Sequence, residues 1–277
     1  MKRLFLFSIA LFLCWSVFSI EERDREILEA YFEYIRENAS SNNSGDLLAQ
    51  TALFFLDTPY VAHTLEGNYE EQLVVNLRGL DCVTIVESSV ALVRAFQQGE
   101  LSVEQFKNQL QFVRYRDGVI DGYPSRLHYF SDWIVNNEKN GIIRDITREI
   151  GGVPIRFHLN IMSTRPDSYP ALKNRPDFVE RIQAVEHDIN ERTFYFIPRH
   201  RIELKRDSIR TGDIICFVTS IEGLDISHVG IAYWVDDKLT FIHASLSAMK
   251  VLIEPRSIAD YVEAIRHNTG IIVLRMN

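Results

Sequence analysis

Three side chains far apart in the chain, Cys82, His228 and His243, are of the types that make a nucleophile, its base and a group to orient that base. Cys82 opens a run in which Val83, Val86, Val90 and Val93 recur at spacings of three and four, until Gly99 stops the pattern. That periodicity predicts a helix buried along one face, with Asp81 as its N-cap. A thiol in the first turn of a helix lies where unpaired backbone N–H groups and the helix dipole favour negative charge, so its pKa is expected to fall towards the thiolate. Cys82 is therefore a candidate nucleophile; the alternatives are a buried structural cysteine or a disulfide partner. Cys216 lies in the apolar β-type run Ile214-Ile215-Cys216-Phe217-Val218, where a thiol acts as a small core hydrophobe, which argues against a bridge between the two.

The base must come from elsewhere. Two β-type runs, Ser227 to Val235 and Lys238 to Ser245, flank Asp236-Asp237 and read as a hairpin. With a two-residue loop Val235 faces Lys238, Gly230 faces His243, and His228 faces Ser245. The two histidines then project from one face as diagonal neighbours, roughly 7 to 8 Å apart at the backbone and closer at the ring tips. A three-residue loop would send them to opposite faces. On the first register Gly230 leaves room beside the rings, with His228 as the base and His243 holding its tautomer.

Together Asp81-Cys82, Gly212-Asp213-Ile214, Ser227-His228-Val229-Gly230-Ile231 and Ile242-His243-Ala244-Ser245, in that order, resemble the NlpC-type cell-wall cysteine peptidases of the papain-like superfamily. A narrower resemblance, to the N-acetylmuramoyl-L-alanine amidase-like branch, rests on Thr58-Pro59-Tyr60-Val61, Glu71 to Leu77, Arg114 to Gly118, Ser125 to Trp133 and Gly223-Leu224-Asp225. It implies an α+β fold with a nucleophile helix on an antiparallel sheet. It also implies cleavage between N-acetylmuramic acid, often in its anhydro form, and the first L-Ala of a peptidoglycan stem, by catalytic Cys82, His228 and His243. Where the resemblance leads one to expect a Gly, this chain has Asp57.

Substrate contacts are expected from Tyr60, the cleft tyrosine that the resemblance implies, and from Asp81 beside the nucleophile. Arg126 and His128, in a Gly- and Pro-rich loop, could bind carboxylate or sugar oxygens; Tyr115 and Tyr129 could stack on sugar rings, with core packing as the alternative. Asp225 is read as orienting the His228 loop, with a turn-forming role as the alternative. Glu87 is given no role, since a helix glutamate is usually solvated. No cofactor or metal is called for: the competing zinc amidase chemistry would want a pattern such as His-Glu-x-x-His, which the chain lacks. A stem-peptide endopeptidase of the same superfamily, or a catalytically silent cell-wall binding protein, stays open as an alternative.

The elements that must position these groups fill a 277-residue chain of ordinary globular composition, 46% hydrophobic and 25% charged. A net charge of -8 without long Lys or Arg runs offers no footprint for nucleic acid or an anionic membrane. The partners expected are muropeptides alone, bound by a monomer. Residues 1–19, a basic head and an apolar run with Val17 and Ser19 before the cut, read as an export signal to the periplasm. An uncleaved membrane anchor is the alternative. Residues 20–277 read as one domain: N-terminal helices over 24–56, the nucleophile helix over 82–98, an insertion over 101–210 that supplies cleft walls, and a sheet over 211–277.

Overall fold

The computed structural model describes residues 20–39, 41–67 and 70–277. The proposed export signal lies outside them, and no helix among the described residues is long and apolar enough to cross a membrane. The helices are α1 (Glu22–Asn38), α2 (Ser44–Phe54), α3 (Cys82–Gln97), α4 (Val103–Arg114), α5 (Phe130–Lys139), α6 (Ile161–Thr164), α7 (Pro176–Asn190), α8 (Ile202–Lys205) and α9 (Ile258–Ala264). The strands are β1 (Ile143–Asp145), β2 (Val153–Ile155), β3 (Phe194–Pro198), β4 (Ile214–Thr219), β5 (Ile226–Val235), β6 (Lys238–Ser245), β7 (Lys250–Ile253) and β8 (Asn268–Met276). They form one antiparallel sheet in the order β2-β3-β8-β4-β5-β6-β7, with β1 also on β8. The class is α+β, as expected.

The sheet does not begin at residue 211. β1, β2 and β3 come from the middle segment and join through the last strand, β8, so that segment is part of the sheet as well as a wall around it. These strands are only three to five residues long, and their pairing with β8 spans more than 70 positions. Local pattern carries little signal for such pairing.

Alternation along the strands gives the sheet two apolar faces. Cys216, Val229, Ile231, Ile242 and Ala244 face α2 and α3 in the larger core, where Val86, Val90 and Val93 supply the apolar stripe of α3. Ile215, Phe217, Ala232, Phe241 and Ile271 face a second cluster with Tyr261 and Val262 of α9.

Asp57 explains the missing glycine. Its backbone is in the left-handed region (φ 66), which glycine adopts freely and aspartate tolerates better than most residues. Lys250 donates to its carboxylate at 2.6 Å. From this turn the chain runs along β7, with Tyr60 N–H donating to Met249 O and Val251 N–H to Thr58 O, and delivers Tyr60 beside Leu80 at the start of α3.

Candidate active site

Asp81 caps α3 with a reciprocal box. Its carboxylate accepts from the N–H groups of Val83 (3.0 Å) and Thr84 (2.8 Å), and Asp81 N–H donates back to Thr84 Oγ1 at 2.8 Å. Ile85 N–H bonds Asp81 O. This local chemistry was readable in the sequence, but its electrostatic consequence was not. Cys82 is a free, half-buried cysteine, and burial pushes its thiol up to about 12, aided by the Asp81 carboxylate. The backbone N–H groups of Val229, Cys82 and Val83 pull the other way. A helix terminus is worth about 0.3–2 kcal/mol to an anion, and desolvation of a thiolate outweighs it here. Burial thus favours the neutral thiol, opposite to the direction expected from its helix position.

The hairpin has the expected register: Val235 pairs with Lys238 and Ile231 with Ile242, around a turn with Asp236 at φ 51. His228 and His243 lie just past the last of these pairs. Their rings are 4.8 Å apart, and His228 Nε2 meets His243 Nδ1 at 2.6 Å. Gly230 makes the approach possible, since a Cβ there would come within 2.7 Å of Phe241 and 3.2 Å of His243 Cβ. Opposite β4 the register shifts between Phe217 and Val218, a bulge that leaves Ser227 as the extra residue and re-aims the start of β5. Both imidazoles are pushed well below the usual histidine range by burial. The neighbouring ring adds to this for His228, and Arg256 for His243.

Cys82 and His228 approach from different sides of the sheet. Cys82 packs with the α3 core, whereas His228 lies among Phe217, Phe241 and Tyr261. They converge beyond the last β5–β6 pair, where the thiol lies against the backbone of Val229, the residue after His228. The thiol also lies close enough to Tyr261 to raise that phenol, whose ring is 6.0 Å from His228 and 5.9 Å from His243.

The other predicted residues divide. Tyr60 is partly exposed and feels the charge of both Cys82 and Asp81, so it stands at the site. Asp225 is buried, accepting from Ser131 N–H at 2.7 Å and Ile226 N–H at 2.7 Å; it ties the loop before β5 to the first turn of α5. His128 and Tyr129 line a cavity of about 240 Å³ with His63, Glu66, Tyr123 and Leu224. His128 Nε2 is 2.8 Å from Tyr123 O, and Tyr129 donates to Glu186 at 2.6 Å, so their polar atoms are already engaged.

Tyr115 and Arg126 are interior residues. Tyr115 is 1% exposed, bonded to Glu71 and Gln72 O, and has no ring face free for a sugar. Arg126 is held by Leu65 O, Glu66 and Glu71 beneath the Tyr123 ring, which corrects its reading as a ligand-facing guanidinium. Glu87, taken as solvated, is buried and paired with Arg114 at 2.7 Å. Sequence reasoning missed Glu254, Arg256 and Tyr261 around His243; only the residue types in Glu254-Pro255-Arg256 after a β-type run hinted at them. A larger cavity of about 520 Å³, lined by Glu138, Arg148 and Tyr195, includes none of the predicted site residues. Among the described residues no group of three or more His, Cys, Asp or Glu is arranged to hold a metal ion.

Fold and site thus define an α+β protein in which a thiol on a capped helix lies against the strand residue that follows one of two hydrogen-bonded imidazoles, at one end of an antiparallel sheet. Residues 50–271 match the AmiA-like family, described as N-acetylmuramoyl-L-alanine amidase-like, and the chain belongs to that family. It is similar to the crystal structure of an N-acetylmuramoyl-L-alanine amidase from Bacteroides uniformis, with 37% identity and a TM-score of 0.81, covering 84% of this chain and 99% of that one. A "putative xylanase" from Bacteroides fragilis is 38% identical, with a TM-score of 0.78 over 82% of this chain and 100% of that one. A Legionella pneumophila protein at 23% identity shares the fold, with a TM-score of 0.68 over 92% of this chain and 94% of that one. Among curated proteins there is no significant match.

Proposed function

We propose that this chain is an exported, cysteine-dependent amidase of the NlpC-type, papain-like superfamily. Its substrates are muropeptides, including anhydro forms, and it cuts between the lactyl group of N-acetylmuramic acid and L-Ala. The observation that carries the reading is the 2.6 Å contact of His228 Nε2 with His243 Nδ1, beside a thiol lodged against Val229. With Nε2 engaged, His228 has Nδ1 for the thiol proton.

In the first step Sγ of Cys82 attacks the lactyl carbonyl carbon while its proton passes to His228 Nδ1. The tetrahedral oxyanion is held by backbone N–H groups, including that of Cys82, because Asp81 already engages Val83, Thr84 and Ile85. As the C–N bond breaks, His228 gives the proton to the departing amine of L-Ala and a thioester remains. Water, deprotonated by the same imidazole, then releases the lactyl carboxylate and restores the thiol. Thiol and imidazoles begin neutral, so charge develops only as the bond is attacked. Tyr60 and the cavity at His128 and Tyr129 receive the substrate.

A glycosidase would need two carboxyl groups about 5–9.5 Å apart across a sugar bond. The carboxylates nearest this site are already engaged within the protein, Asp81 by the helix cap and Glu254 by Arg256 on one oxygen and His243 on the other. Mass spectrometry of purified muropeptides tests the proposal. The expected products are a free stem peptide and a peptide-free disaccharide, formed in the presence of a chelator. Shortened stem peptides would replace the amidase with an endopeptidase, and release of xylan fragments would replace it with a glycosidase.

A further inference from the structure

The chain of polar contacts does not stop at His243. Its Nε2 lies 3.4 Å from Glu254 Oε2, and both side chains are buried, at 2% and 5% exposure. That nitrogen is buried without a formed hydrogen bond, and the Glu254 carboxylate is the acceptor it faces. Glu254 is itself fixed. Its Oε1 accepts from Arg256 Nε at 2.7 Å and from Arg256 N–H at 3.2 Å, and its backbone N–H bonds Phe241 O at 2.9 Å. Arg256 in turn packs over Tyr261, 4.8 Å from the ring centroid. One carboxylate oxygen therefore serves the guanidinium, and the other faces the imidazole.

Resting on the cysteine-hydrolase reading, we propose that Glu254 is a positioning residue that sets the tautomers of both imidazoles and so keeps His228 Nδ1 bare for the Cys82 proton. A carboxylate only accepts hydrogen bonds, so the His243 nitrogen facing it, Nε2, must carry the hydrogen. In a neutral imidazole the other nitrogen is then an acceptor, which makes His243 Nδ1 the acceptor in its 2.6 Å contact with His228. His228 Nε2 must donate there, and its Nδ1 is the unprotonated atom. Reverse the first hydrogen and every later one reverses, leaving His228 with Nδ1–H and no lone pair to take the thiol proton.

The groups around His243 agree with a directional role. From β5 it meets His228, from the segment after β7 Glu254 and Arg256, and from α9 the Tyr261 phenol, with Phe241 beside it on its own strand. Glu254 favours protonation of His228 even across the intervening ring, while Arg256 opposes protonation of His243. The 3.4 Å separation is long for a neutral hydrogen bond. It shortens when the proton arriving on His228 makes the imidazole pair cationic, as catalytic contacts do in the reacting complex.

The test uses the full chain and needs no muropeptide. Alkylation of Cys82 by iodoacetamide, followed at its own peptide by mass spectrometry, is measured against pH in the wild type, Glu254→Gln and Glu254→Asp. Loss of the carboxylate behind a metal-bound histidine typically costs about 10–100-fold, and the lower end of that scale is expected for this metal-free pair. Glu254→Gln is expected to slow alkylation at pH 7 by about tenfold and to move the profile to higher pH, with partial recovery in Glu254→Asp. A folded Glu254→Gln with an unchanged profile overturns the proposal, because a purely structural carboxylate would change melting and not thiol reactivity. Should the variants not fold, ¹⁵N spectra of the wild type decide: both rings are expected to be protonated on Nε2, and a hydrogen on His228 Nδ1 overturns it. If Cys82→Ala still cleaves muropeptides, the hydrolase reading fails separately from the tautomer assignment.

Discussion

Two buried polar networks in this protein follow opposite electrostatic plans. Beside α3, Arg114 bonds Glu87 and Val74 O, while Arg126 lies between Glu66 and Glu71, and Tyr115 donates to Glu71. Burial raises the pKa of Glu71 and Glu87, and the adjacent guanidinium groups pull it back. Charge there is matched in place, and the network acts as a strut. At the site no cation among the described residues offsets the charge of a Cys82 thiolate, Asp81 opposes its ionisation, and burial favours the neutral form of both imidazoles. The thiol and the two imidazoles therefore favour their neutral forms, although Asp81 and the Glu254–Arg256 pair stand beside them. Burial and displaced pKa values mark both regions, so neither identifies a catalytic centre; what separates them is whether the charges are already compensated.

The contrast is broken most directly at the sulfur. Cys82→Ala is expected to lower muropeptide turnover by about 10⁴-fold or more, with a melting temperature close to the wild type; retained turnover would end the distinction. The strut should respond in the reverse sense. Arg114→Met leaves Glu87 buried without its partner, a change that costs about 3–5 kcal/mol. Denaturant melts should show that loss, while turnover per folded molecule stays within about twofold.

Histidines sharpen the comparison through pH. Burial, aided by Arg126, pushes His128 down to about 3. Its value in the unfolded chain is about 6.5, so the unfolded state binds the proton first. The stability gained by keeping His128 neutral is complete above pH about 6.5 and is lost as pH falls towards 3. The stability difference between wild type and His128→Gln should therefore shift against the wild type by about 2 kcal/mol between pH 7 and pH 5. A constant gap would mean that this ring is not buried neutral. A comparable effect, on rate as well as stability, is expected from Gly230→Ala. A methyl group there must displace Phe241 or His243, which should lower turnover by about tenfold and stability by about 1–3 kcal/mol. An unchanged rate would show that the ring pair tolerates misalignment.

Much of the site was legible because it is local. The three- and four-residue spacing of valines placed α3, Asp81 capped it, and the Asp-Asp turn set the hairpin register that brings His228 and His243 together. The sign of the thiol shift was not legible, since the helix N-terminus is visible in sequence and the walls that desolvate the sulfur are not. Glu87 looked solvated because its partner, Arg114, lies 27 positions away on another helix. Tyr115 and Arg126 sat in motifs that suggested ligand contacts, yet their polar atoms find partners 43 to 61 positions upstream.

By itself, then, the sequence determined where the nucleophile helix starts and which two imidazoles share a strand face, because both depend on periods of a few residues. Only the tertiary structure decided that burial favours the neutral forms of these groups, that the sulfur meets β5 at Val229 beyond the last β5–β6 pair, and that Glu254 stands behind His243. Those outcomes depend on desolvation and on contacts between distant segments, and such quantities exist only once the chain has closed around them.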